Sequence, residues 1–135
     1  MTMIEVVLSK IVIRETNEQQ VIFLKEKDGE RSFPIIIGVS EAIEINRKIT
    51  DVKTPRPMTH DLVRNVMRSL DAHLKFVVVD ALKDATFYAK LHVGHDSKEV
   101  KIDARPSDAV AIAVAEKVPI FVDDSVFDEL AKHAE

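Results

Sequence analysis

Residues 104–115 read ARPSDAVAIAVA, and this stretch decides which kind of fold the chain adopts. Its large residues alternate with alanines, as in a strand, but a proline, a serine and an aspartate precede them, as at the start of a helix. Alanine is the best helix former and a poor strand former, so the composition predicts a helix. Because seven consecutive apolar residues follow Asp108, we expect this helix to be buried nearly all round.

The segments on either side of this helix predict an α+β domain. Apolar runs that begin near Met3, Val21 and Arg31 predict three strands, with turns at ETNEQ (15–19) and at KDGE (27–30). Residues 40–50 and 59–72 predict two helices, and three more strands follow within residues 74–104.

A short strand at 119–124 and a last helix at 125–134 complete the order: three strands, two helices, three strands, helix, strand, helix. Runs of strands followed by runs of helices are typical of α+β proteins. We therefore predict two three-stranded, mostly antiparallel β units with four helices, all in one compact domain over residues 1–135.

The composition bounds the function classes. Of the 135 residues, 46% are hydrophobic and 31% are charged, which is typical of a globular protein. No apolar run approaches the roughly 18 residues of a membrane span, and the first ten residues lack the pattern of a secretory signal. The chain has no cysteine, which excludes disulfides and thiolate metal sites. We expect a cytoplasmic protein that does not enter a membrane.

The charge is unevenly distributed along the chain. The formal net charge is −4, from 19 Lys and Arg against 23 Asp and Glu. Between residues 51 and 69, however, Lys53, Arg56, Arg64 and Arg68 stand against two aspartates. This segment predicts a modest positive patch, although a solvated helix face is the simpler interpretation. A strongly basic surface, which nucleases commonly carry, is not evident from the sequence.

An Arg-Pro pair followed by a hydroxyl residue and an aspartate occurs twice, in PRPMTHD (55–61) and in ARPSD (104–108). Proline holds the preceding arginine in an extended conformation immediately before each predicted helix. In a purely structural interpretation, Thr59 and Ser107 cap the two helices, and Asp61 and Asp108 each form an ion pair with the arginine of their own motif.

A functional interpretation of the same residues is an anion site suited to phosphate, because helix N–H groups and arginines bind phosphate oxygens. The aspartates would repel a bare phosphate, so a divalent cation such as Mg²⁺ would make the set coherent. His60 adds a group that exchanges a proton near neutral pH. These are components of phosphodiester hydrolysis.

Other polar residues are weaker candidates. His92, His95 and Asp96 surround a glycine and could form a metal-binding corner, but we favour exposed turn residues. Glu41 and Glu44 are surface carboxylates or additional metal ligands, and the surface interpretation is the simpler one.

The two Arg-Pro motifs together carry a family resemblance. PRPMTHDLV (55–63), paired with DARPSDAVAIAVAEKVPIFV (103–122) and preceded by FPIIIGVSEA (33–42), resembles the bifunctional nuclease domain family over about residues 3–124. The resemblance implies hydrolysis of both DNA and RNA, a compact α+β fold and a homo-oligomer, with a dimer as the simplest form. The matching residues are Arg56, Thr59, His60 and Asp61 in the first motif, and Asp103, Arg105, Ser107 and Asp108 in the second.

We therefore expect a phosphodiesterase whose substrates are DNA and RNA. The expected catalytic residues are His60, Asp61 and Asp108, with Asp61 and Asp108 also as ligands of Mg²⁺ or another divalent cation. The expected phosphate-binding residues are Arg56, Thr59, Arg105 and Ser107. The alternative is a non-enzymatic oligomeric binding or regulatory module with an anion or phosphate site, in which the same motifs cap helices and build a subunit interface.

Overall fold

Seven strands form one mixed sheet in the order β3-β2-β1-β7-β4-β5-β6, in a computed structural model that describes residues 2–14 and 19–133. The strands are β1 (Met3–Val12), β2 (Gln19–Glu26), β3 (Ser32–Gly38), β4 (His73–Lys83), β5 (Thr86–His95), β6 (Lys98–Ala104) and β7 (Ile120–Asp123). The helices are α1 (Val39–Thr50), α2 (Thr59–Ser69), α3 (Pro106–Glu116) and α4 (Asp124–Lys132).

The predicted element order and the α+β class are confirmed. Strands β1–β3 form one antiparallel unit and β4–β6 form another. The short strand β7 lies between them, antiparallel to β1 and parallel to β4, so it joins the two units into a single sheet. None of the described helices is long and apolar enough to cross a membrane.

Tight turns connect the strands. The predicted Asp-Gly turn joins β2 to β3, whereas the turn predicted at ETNEQ falls on residues 15–18, outside the described residues. Two-residue turns at Asp84–Ala85 and Asp96–Ser97 join β4, β5 and β6, and all four residues have positive φ, as hairpins with this loop length favour.

The predicted exposed turn at His92–Asp96 is wrong for its first residue. Strand β5 continues through His95, and His92 is buried within it. The His92 ring stacks on Phe76 at 4.4 Å between ring centroids, and its Nδ1 lies 2.6 Å from Glu99 Oε1.

One face of the sheet carries most of the hydrophobic core. Residues that pair across the strands share a face, and one such row contains Val6, Ile120, Val77 and Leu91, all buried. Helix α3 packs against β4 and β5 and against α1. Of the seven apolar residues predicted to be buried, Ala109–Ala113 are buried, and Val114 and Ala115 are half-buried.

The amphipathic spacing of α2 forms one apolar stripe, of which only part is buried. Met67 is buried and Val63 is half-buried, but Leu62, Val66 and Leu70 are 57%, 48% and 62% exposed. Helix α2 packs against α3 and β4, and α3 already occupies the central position over the sheet. Only one edge of the apolar stripe of α2 therefore reaches the core.

The close packing of α3 gives a stability prediction. Ala111→Leu adds three carbon atoms where no space is open, so we expect the free energy of unfolding to fall by about 1–3 kcal/mol. Ala131→Leu makes the same change on an exposed part of α4 and should stay within about 0.5 kcal/mol of wild type. Urea denaturation of the three proteins measures both effects, and equal losses would contradict the central position of α3.

Candidate active site

Helix α3 begins at the second Arg-Pro motif. Arg105 is the N-cap residue, with extended backbone angles of φ −69° and ψ 146°, and Pro106 occupies the first helical position, where its missing N–H costs nothing. Ser107, which the sequence predicted as the cap, is instead the second helical residue and is buried. Asp108 lies in the first turn, as predicted, where a carboxylate is favoured by the helix dipole.

Arg105 forms a paired contact with Asp108, which confirms the predicted ion pair of this motif. The Arg105 Nε donates to Asp108 Oδ2 at 2.8 Å, and Nη2 donates to Oδ1 at 3.2 Å. Nη1 donates to Glu41 Oε1 of α1 at 3.3 Å. These contacts raise the pKa of Arg105, although its side chain is 67% exposed.

His60 joins the first motif to the second. Its Nε2 lies 2.7 Å from Asp108 Oδ1, across 48 residues of sequence, and its side chain is only 13% exposed. Burial alone would raise the pKa of Asp108, but the hydrogen bonds from Arg105 and His60 outweigh burial and lower it. Asp108 is therefore ionised at neutral pH and accepts from His60 Nε2–H, so in a neutral imidazole the lone pair lies on Nδ1.

These side chains line a cavity of about 520 Å³ between α1, α2, α3 and β6, called here the histidine cavity. Four carboxylates line it, from Glu41, Glu44, Asp103 and Asp108, and the balancing cation is Arg105. The apolar part of the wall includes Val63, Leu91, Ile102 and Ile112.

Asp61 belongs to a different cluster. The N-cap of α2 is Met58 in place of the predicted Thr59, and Asp61 Oδ2 accepts from the backbone N–H of Met58. Asp61 Oδ1 contacts Lys48 Nζ and lies 3.7 Å from Arg64 Nη1. Burial would raise the pKa of Asp61, but the contacts with Lys48 and Met58 lower it.

The predicted ion pair between Arg56 and Asp61 is wrong, because Lys48 and Arg64 occupy the carboxylate. Arg56 is exposed in the loop before α2, and together with Asp61 it lines a second cleft of about 590 Å³. Thr59 is exposed and lines the histidine cavity. The predicted site is therefore divided between two neighbouring cavities. Arg56 and Asp61 line the second cleft, whereas Thr59 and His60 line the histidine cavity together with the second motif.

Sequence reasoning favoured a surface position for Glu41 and Glu44, which is wrong for the buried Glu44, and it did not single out Lys48. Glu41 contacts Arg105 at the start of α3, and Lys48 contacts Asp61 of α2 as well as Glu44 of its own helix. The i,i+4 spacing of Glu44 and Lys48 within α1 was visible in the sequence, but the contacts with Arg105 and Asp61 cross between helices. The pattern within α1 alone does not reveal them.

The predicted metal site does not fit this arrangement. Within residues 2–14 and 19–133, no group of three or more His, Asp or Glu side chains is placed to hold a metal ion. Asp61 and Asp108, the two predicted ligands, are engaged by different cations and line different cavities. Dependence on Mg²⁺ stays a prediction, and no catalytic step is assigned to a metal.

Comparison with known proteins identifies the family. A model of the bifunctional nuclease domain matches residues 22–135, and the chain belongs to this family. An uncharacterised protein of Mycobacterium tuberculosis is 42% identical over 122 residues, which cover 90% of this chain and 73% of that protein.

Plant relatives carry the name bifunctional nuclease. Bifunctional nuclease 2 of Arabidopsis thaliana is 33% identical over 105 residues, covering 75% of this chain and 32% of the plant protein. Bifunctional nuclease 1 of Oryza sativa subsp. japonica is 26% identical over 114 residues, covering 82% and 34% respectively. The chain thus spans about a third of the length of these plant proteins.

The cluster around Asp61 predicts a pH-dependent stability. The pKa of Asp61 is lowered by folding, so its stabilisation is present above the unfolded value of about 3.9 and is lost as the pH falls through the folded value. Asp61→Asn retains an acceptor for Met58 but removes the charge. We expect a loss of about 1–3 kcal/mol at pH 7 that shrinks as the pH is lowered below 3.9.

Chemical denaturation at a series of pH values measures this difference, and Asp28→Asn in the exposed β2–β3 turn is the matched control. A constant difference between wild type and Asp61→Asn at every pH would show that charge plays no part.

Proposed function

We propose that this chain hydrolyses the phosphodiester bonds of DNA and RNA, with His60 as the group that moves the proton. The observation that carries the proposal is the 2.7 Å contact of His60 with Asp108, which joins the two motifs at the wall of one cavity. The names of the plant relatives support nucleic acid as the substrate class.

The geometry of the His60–Asp108 pair suits general base catalysis. Asp108 fixes the ring by accepting from Nε2–H, as carboxylates orient catalytic histidines elsewhere. The lone pair on Nδ1 has no partner among the described residues and can accept a proton from the attacking oxygen. That oxygen belongs to water for DNA, and to water or the ribose 2′-hydroxyl for RNA. As the attacking oxygen bonds to phosphorus, the bond between phosphorus and the leaving oxygen breaks, and the imidazolium gives the proton to the leaving oxygen.

Arg105 is placed to bind the reacting phosphate. Its guanidinium has five N–H groups, and three of them donate to Asp108 and Glu41. The other two are available on a side chain that is 67% exposed. An arginine held in one orientation by two carboxylates needs little reorganisation to stabilise the charge that develops on a phosphate oxygen.

A binding or regulatory module is the second candidate function, and one observation favours it. Asp108 and Glu41 together neutralise Arg105, which is also what a purely structural ion-pair cluster would look like. In that function the chain would bind an anion without cleaving it.

We also propose a homo-oligomer, for which the exposed apolar residues Leu62, Val66 and Leu70 of α2 provide a suitable surface.

Cleavage assays separate the two candidates. Plasmid DNA and a labelled RNA are incubated with wild type, His60→Ala and Asp108→Asn, each with Mg²⁺ and with a chelator. Loss of a general base should lower kcat about 10²- to 10⁴-fold on both substrates. His133→Ala, which removes an exposed imidazole at the end of α4, is the matched control and should cleave like wild type.

Purification through identical steps and circular dichroism of each variant exclude contamination and misfolding. Equal cleavage by all four proteins would place the activity elsewhere, and no cleavage by any would favour the binding module. The chelator series reads out dependence on Mg²⁺ directly.

A further inference from the structure

We propose that the second cleft, called here the cationic cleft, binds the phosphate backbone of the nucleic acid and selects the substrate by backbone charge alone. This inference rests on the proposed function, which it extends from the reacting phosphate to the strand on either side. The C-terminal half of α1, the loop at 51–57, one side of α2 and the C-terminal end of α3 form the cleft.

The charge of the cationic cleft is opposite to that of the whole chain. Seven cations line it, contributed by Arg47, Lys48, Lys53, Arg56, Arg64, Arg68 and Lys117. Three carboxylates line it with them, from Glu44, Asp51 and Asp61, and Glu116 at its border pairs with Arg64 and Arg68, which leaves a surplus of three positive charges. The chain as a whole carries −4, so the folded structure concentrates its positive charge here. Such a local surplus attracts polyanions even to an acidic protein.

The cations of the cleft fall into two groups. Arg47 and Lys48 pair with Glu44, and Arg64 and Arg68 pair with Glu116, so these four cations already have carboxylate partners within the fold. Lys53, Arg56 and Lys117 are exposed, and within the described residues none of them forms an ion pair with a carboxylate.

Exposed cations without an internal partner are the ones that can exchange their counterions for phosphates. Lys53 and Arg56 lie in the loop before α2, and Lys117 is the C-cap residue of α3. The three charges come from two separate segments that border one cleft, as contacts with successive phosphates of a strand require.

The cationic cleft adjoins the histidine cavity at the first turn of α2. Arg56 and Asp61 line the cleft, His60 and Thr59 line the cavity, and Glu44 lines both. A strand held at Arg56 therefore needs to pass only one helical turn to bring a phosphate to His60. The cleft supplies the positive charge that the histidine cavity, with its four carboxylates, lacks.

The cleft has cations but no aromatic surface on which a base could stack. Its apolar lining consists of aliphatic residues and prolines, and no aromatic side chain of the described residues lines it. Base stacking is the usual second contribution to single-strand binding, and without it affinity depends on the phosphates, which are the same in DNA and RNA. This composition matches an enzyme that accepts both polymers.

The test measures binding, separately from cleavage. Fluorescence anisotropy of a labelled single strand, in DNA and RNA versions of one sequence and with a chelator present, gives Kd across a salt series. The triple variant Lys53→Gln/Arg56→Gln/Lys117→Gln is compared with Lys83→Gln/Lys98→Gln/Lys132→Gln, which removes the same charge from exposed lysines outside the cleft.

We expect the cleft variant to reduce the slope of log Kd against log salt by about 2, since each lost phosphate contact on a single strand removes about 0.7. At low salt its affinity should fall about tenfold or more, and the control variant should retain the wild-type slope. DNA and RNA should bind alike.

Three outcomes would overturn the proposal that the cleft binds the phosphate backbone. They are no binding by wild type at low salt, equal weakening by the two triple variants, and equally effective competition by an acidic polypeptide. The last would assign the cleft to a protein partner. Binding that depends on the cleft, in a protein whose cleavage does not depend on His60, would reject the proposed function and leave the cleft standing. Cleavage that depends on His60, in a protein whose nucleic-acid binding is unchanged by the cleft variant, would support the proposed function and reject the cleft as the binding surface.

Discussion

The burial of helix α3 is the constraint on which the rest of the structure depends. Because its residues are small, the helix lies close to the sheet and to α1 with Ala109–Ala113 fully enclosed. At 1.5 Å per residue, the helix then holds Asp108 in its first turn and its C-cap residue Lys117 about 14 Å apart along its axis. Helix α2 runs beside it in the same direction, since His60 meets Asp108 at one end and Arg64 meets Glu116 at the other. One rigid element thus positions both the histidine cavity and the cationic cleft.

The two cavities divide the electrostatic tasks of the proposed reaction. Asp108 is held ionised between Arg105 and His60, so it can fix the tautomer of the imidazole, but the carboxylates around it repel a phosphate. The neighbouring cleft has the opposite sign of charge and an excess of cations. Attraction of the polymer and chemistry at one phosphate are therefore assigned to adjacent surfaces, which meet at the first turn of α2.

Much of the fold could be predicted from the sequence because its signals are local. The Asp-Gly turn, the strand that ends at Gly38 and the alanine-rich helix each follow from propensities of neighbouring residues. The burial of α2 could not be predicted, since Leu62 and Leu70 have the right spacing for a core but α3 already fills it. The glycine two residues after His92 indicated a turn there, yet hydrogen bonds with β4 and β6 extend β5 past it.

The sequence by itself determined the α+β class, the order of the elements and the two Arg-Pro motifs, because these depend on residues close together in the chain. Only the tertiary structure decided how the motifs are used. It paired His60 with Asp108 but gave Asp61 to Lys48, and it gathered Arg56 and Lys117 from distant segments into one cleft. The physical reason is that a side chain's electrostatic partner is set by distances of a few ångströms between elements, and the spacing of residues along a chain does not specify these distances.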